Sequence, residues 1–118
     1  MKMFPNGRVL TETSLHRLQR YGFRVDRSDD LWVYTVKDVH YILCKLVSDL
    51  FGRNLVLLKM YTEPNGMSKV DMLTVSSMFT TIKDGVKFIN HMEEEEFKEF
   101  IKTQQKSFIP VFYEGSDI

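Results

Sequence analysis

The chain of 118 residues is 43% hydrophobic and 13% aromatic, which excludes a disordered polymer and suffices for one buried core. Its 16 basic and 16 acidic side chains cancel to a formal net charge of zero, so no global field draws it toward nucleic acid or anionic membrane. The same balance lowers the barrier to self-association.

In chain order, residues 1–10 read as a leader with a turn at Pro5, Asn6 and Gly7, without the apolar run of a signal peptide. Thr11 or Thr13 caps a short helix whose face carries Leu15 and Leu18. Gly22 ends that helix, and Phe23 falls where a Schellman cap packs back on Leu18. From Phe23 the apolar period changes from helical to alternating. Phe23 and Val25 start a first strand, a turn follows at Ser28, Asp29 and Asp30, and residues 31–36 form a second strand. There Trp32, Tyr34 and Val36 oppose Leu31, Val33 and Thr35. Lys37 and Asp38 suit a two-residue hairpin into a third strand, residues 39–47, apolar on both faces and hence covered on each side or used in an interface.

Gly52 breaks the pattern within residues 48–54, and a fourth strand takes residues 55–62. Glu63, Pro64, Asn65 and Gly66 are strong turn chemistry before residues 69–76, which alternate again. Thr81 with Asp84 resembles a capping box for a helix whose face is Ile82, Val86 and Ile89. Phe97, Phe100 and Ile101 mark a later helical face, with Asn90 as its cap and Glu93 three residues on. The tail, residues 108–113, is apolar and interrupted by Pro110. The expected fold is one α+β domain over residues 1–118. It has a short N-terminal helix, a four- to five-stranded antiparallel meander sheet, and one or two C-terminal helices on one face. Leu15, Leu18, Phe23, Val33, Leu43, Leu57, Ile82, Val86 and Ile89 are its expected core.

Chemistry is sparse. Cys44 is the only cysteine and lies in an apolar run, which excludes an internal disulfide and favours a buried thiol. His16, His40 and His91 share no metal-ligand spacing, and no catalytic, cofactor or metal site is expected. The run from Glu93 to Glu96 suits a solvated first helical turn, where carboxylates complement the helix dipole. Arg17 and Arg20 are neighbours three apart on the first helix, and with Tyr21 they form the candidate nucleic-acid contacts. Arg24 and Arg27 follow in the chain, while Asp26, Asp29 and Asp30 blunt the local field. Trp32, Tyr34, Phe108, Phe112 and Tyr113 form the candidate partner surface, since aromatics are enriched at interfaces.

The helix ending before Tyr21-Gly22-Phe23, the strand meander and the late helix Thr-Ile-Lys-Asp-Gly-Val-Lys-Phe-Ile from Thr81 give a layout that resembles small uncharacterised α+β proteins of bacteriophages and prophages. That resemblance carries no assigned activity and no site residue; a phage factor acting on a host protein is one form of the binding reading that the absence of catalytic residues and the apolar surplus support. The expected function is a non-enzymatic protein-binding or regulatory module, with a protein partner or a second copy as occupant. Nucleic-acid binding through Arg17, Arg20 and Tyr21 is the alternative, and a small-molecule pocket between sheet and helices the third. No apolar run approaches the ~20 residues of a membrane helix, so the expected location is cytoplasmic, in a host's cytoplasm if the protein is viral.

Overall fold

Strands β1 (Phe4–Pro5), β2 (Phe23–Val25), β3 (Trp32–Val36), β4 (Val39–Ser48), β5 (Gly52–Thr62), β6 (Ser68–Thr74) and β7 (Ile109–Glu114) make one antiparallel sheet. Helices α1 (Ile82–Asn90) and α2 (Glu94–Thr103) separate the last two strands. The computed structural model describes residues 4–5, 18–26, 31–50 and 52–114. Strand order is β1-β3-β4-β5-β6-β7, with β2 against β4. The fold is therefore the expected α+β class with an antiparallel sheet, its later helices placed between β6 and β7.

Turn chemistry sets each register. Lys37 and Asp38 join Val36 to its partner Val39, with Lys37 in the left-handed region at φ 54°. Gly52 sits at φ 71° and pairs directly with Ser48. A glycine there accepts the left-handed turn without steric cost, so the next strand begins at Gly52 and not at Leu55 as the sequence suggests. Between β5 and β6 the Gly66 amide donates to the Glu63 carbonyl at 2.9 Å, and the Met67 amide donates to the Asn65 side chain at 3.0 Å.

Strands β2 and β3 do not pair with each other, as a simple meander would have them. Both lie along the same edge of β4, Val25 opposite Leu46 and Trp32 opposite Leu43. The expected turn at Ser28, Asp29 and Asp30 falls outside the described residues. Two strands escaped the sequence reading. Phe4 and Pro5, read as leader, pair with Val33 and Trp32. The tail is strand β7, with Pro110 opposite Asp71 at a register shift. Proline lacks an amide hydrogen and is tolerated there because β7 is the last strand of the sheet.

The core has two layers. On one face Tyr34, Tyr41, Leu43, Leu57 and Leu73 pack with Ile82, Val86 and Ile89 of α1 and Phe97 and Ile101 of α2. On the other, Ile42, Cys44, Leu58 and Met72 pack with Leu18, from the helical residues 18–20. Tyr41, Ile42, Leu43 and Cys44 are consecutive and all buried, so β4 is a central strand covered on both sides. Every described residue of the expected core is buried; Leu15 lies outside the described residues.

The Thr81 hydroxyl accepts from the Asp84 amide at 3.1 Å and caps α1 as expected. Asn90 does not cap α2. It is the last residue of α1, and Glu93 is the cap residue of the next helix, without a side-chain cap bond. The chain stays helical through Asn90 because Ile89, fully inside, holds the last turn against the sheet.

Two substitutions with opposite signs test this geometry. At Gly85 an added Cβ would lie 2.8 Å from Cδ2 of the fully buried Leu43. Overpacking of about 1–3 kcal/mol exceeds the gain of about 1 kcal/mol in helix propensity, so Gly85→Ala lowers the melting temperature. Lys37→Gly relieves a left-handed non-glycine residue and should stabilise by about 1 kcal/mol, raising the melting temperature by roughly 4 °C. Thermal unfolding of both variants reads the two signs.

Candidate functional site

Of the aromatic side chains expected to form a partner surface, Tyr34 and Phe108 turn inward. Tyr34 is 1% exposed and Phe108 9% exposed, and Trp32 packs half-buried against the same cluster. The Tyr34 ring lies 4.4 Å from Phe97 and the Tyr41 ring 4.9 Å from Phe97, centroid to centroid. These residues occupy the sheet face that α1 and α2 cover, where Tyr34 and Phe108 are withdrawn from solvent and Trp32 keeps part of its surface exposed. The side chains of Phe112 and Tyr113 lie outside the described residues; their backbone belongs to β7.

The candidate nucleic-acid contacts divide similarly. Arg17 is outside the described residues, while Arg20 is exposed and Tyr21 is 39% exposed beside the buried Leu18. The Asp26 carboxylate takes an ion pair from Arg53 of β5. His40 Nδ1 lies 2.9 Å from the Thr35 hydroxyl across the β3–β4 hairpin, and His91 is the exposed C-cap of α1. His16 lies outside the described residues. Among the described residues no three His, Cys, Asp or Glu side chains gather as a metal site. Glu94, Glu95 and Glu96 fill the first turn of α2, with Lys98 reaching Glu95 at 3.4 Å and Glu94 at 3.8 Å.

Burial decides the ionisation of the core. Desolvation pushes the Cys44 thiol from its ordinary 9.0 up to about 12. The Tyr34 hydroxyl also rises, first through burial and then through the Glu94 and Glu93 carboxylates, and it makes no hydrogen bond with any described residue.

A different set of aromatics reaches the surface. The stripe of α1 facing the sheet is Ile82, Gly85, Val86 and Ile89. Phe88 projects roughly 110° from the centre of that stripe and is therefore on the helix flank. It is 44% exposed. On α2, Phe97 and Ile101 point inward and Phe100 lies on the flank, half-buried. Phe79, in the segment between β6 and α1, lies 5.1 Å from Phe88, and Phe88 lies 5.8 Å from Phe100. Phe79, Phe88 and Phe100 thus form a row crossing both helices. Met78, next to Phe79 in the chain, is 40% exposed. The sequence signal for this row is an aromatic residue, Phe88, off the apolar stripe of Ile82, Val86 and Ile89 on an amphipathic helix.

The Phe79 end of the row opens on a depression of about 310 Å³ lined by Lys45, Arg53, Asn54, Leu55, Ser76 and Thr80. Its floor is fixed by the Leu55 amide, which donates to the Ser76 hydroxyl at 3.0 Å. At the other end, helical geometry puts Glu96 and Thr103 on the flank of α2 that carries Phe100, with Glu99 beyond them.

Comparison with protein-family models, curated proteins and solved structures found no match to this chain. Among the described residues no helix is long and apolar enough to cross a membrane.

Two measurements follow from the buried groups. Tyr34→Phe removes a hydroxyl without a described partner and should leave stability unchanged or raise it by about 1 kcal/mol in denaturant titration. Cys44 and Tyr34 both hold their protons more tightly folded than unfolded. Their contribution is complete below the unfolded values of 9.0 and 10.0 and is lost as pH rises through that range toward the folded values. Denaturation midpoints should fall as pH rises above 9.0, and iodoacetamide should label Cys44 only on unfolding.

Proposed function

We propose that the protein is a non-catalytic binding module that docks another protein surface through the aromatic row of α1 and α2. The observation that carries this reading is Phe88, 44% exposed in the middle of a row of three contacting phenylalanines. Single exposed apolar residues are ordinary on soluble proteins, whereas contiguous apolar patches mark interaction sites. A rigid ring carried on a helix flank loses little conformational freedom on docking, which is why aromatic residues act as interface anchors. Packing of the helices against the sheet through Ile82, Val86, Phe97 and Ile101 fixes the row before any partner arrives.

Phe88→Ser tests the reading, since Phe88 is outside the α1 core stripe and its loss should leave the fold intact. Wild-type and variant chains, immobilised and challenged with nuclease-treated lysate, should differ in the partner they retain. A central aromatic anchor is worth at least about 2 kcal/mol, so affinity should fall roughly thirtyfold at an unchanged melting temperature. Retention insensitive to Phe88→Ser would remove this assignment, and retention seen only without nuclease and lost with Arg20→Ala and Tyr21→Ala would return the nucleic-acid alternative.

A further inference from the structure

The aromatic row has ends of opposite charge. Phe79 borders the depression that holds Lys45 and Arg53, and Arg53 keeps 59% of its side chain exposed while paired with Asp26. Phe100 shares its helix flank with Glu96, and Glu99 lies further round the same side. Lys98, which meets Glu94 and Glu95, is on the opposite flank and leaves the Glu96 side negative.

An apolar row, basic at one end and acidic at the other, is complementary to itself when turned by 180°. A twofold interface needs this property, because each contact between unlike groups is then made twice. We propose that the row seats a second copy of this chain, forming an isologous dimer; this deepens the protein-binding reading and rests on it. Phe88 of each copy meets the other near the axis, and Phe79 faces the partner copy's Phe100. Lys45 and Arg53 face the partner copy's Glu96 and Glu99. The formal net charge of zero leaves no long-range repulsion between copies. Leu50, 82% exposed at the β4–β5 turn, and Ile109, 42% exposed on β7, have no described aromatic contacts and supply no such pattern.

The patch is small, so the dimer should be weak, with a Kd of about 10–100 µM. Sedimentation equilibrium of the full chain up to on the order of 1 mM reads it directly. Phe88→Ser should abolish association, and Glu96→Lys should weaken it about tenfold, as should raised salt. Lys45→Glu added to Glu96→Lys should restore it by exchanging the two ends. A second measurement does not depend on how Lys45→Glu folds. A spin label on Glu99→Cys, with Cys44 buried and unreactive, should broaden the amide resonances of Lys45, Arg53 and Phe79 in an isotopically labelled unmodified copy. A chain strictly monomeric at the highest concentration, a dimer insensitive to Phe88→Ser, or broadening confined to another surface would each overturn the proposal. Monomer with Phe88-dependent capture of a different protein overturns the dimer alone. Monomer without such capture overturns the protein-binding reading as well.

Discussion

A strand that is apolar on both faces is stable in water only when both faces are covered, and β4 imposes that condition on this protein. Tyr41, Ile42, Leu43 and Cys44 point alternately up and down, and all four are buried. On one side the cover is α1 and α2; on the other the described part of the cover is Leu18. Gly85 shows how closely the first cover sits, since the helix backbone approaches Leu43 at a distance that leaves no room for a methyl group. Position and tilt of α1 follow from that contact, and the flank on which Phe88 stands follows from the position of α1.

The same constraint divides the aromatic residues by role. Tyr34, Tyr41 and Phe97 interlock at the centre of the helix-facing layer. Phe79, Phe88 and Phe100 lie at its margin, where the helix pair stops covering the sheet and begins to face solvent. The two groups are joined through Phe97 and Phe100, whose centroids lie 6.4 Å apart. A surface supported in this way is stiff, and stiffness favours specific docking over adaptable contact.

Much of the layout was legible in the residues. The change from helical to alternating period at Phe23, the Lys37-Asp38 and Asn65-Gly66 turns and the Thr81 cap each depend on local chemistry, and each is where the pattern placed it. What the pattern missed depends on partners distant in the chain. Phe4 and Pro5 have no strand signature and become a strand only by meeting Val33 and Trp32. Pro110 reads as a break, yet an edge position lets β7 form around it. The alternation of Trp32, Tyr34 and Val36 is plain in the residues, but which face the helices cover is a tertiary fact, and it decides that Tyr34 is core. The aromatic row was hidden for the same reason, since Phe79, Phe88 and Phe100 meet only after both helices have docked.

The order of elements also sets a timetable for synthesis. The hairpins from β3 to β6 close between near neighbours and can form as the chain emerges, in the order in which it is made. The helices that cover Leu43, Leu57 and Leu73 come later in the chain, and β7, which protects the outer edge of β6, follows them. A ribosome carrying this chain therefore passes through an interval with a nearly finished sheet, one greasy face uncovered and one edge open. That intermediate has the features that recruit chaperones and seed aggregation. The rate of elongation between the codons for Thr74 and Glu114 thus governs how long the nascent protein stays vulnerable.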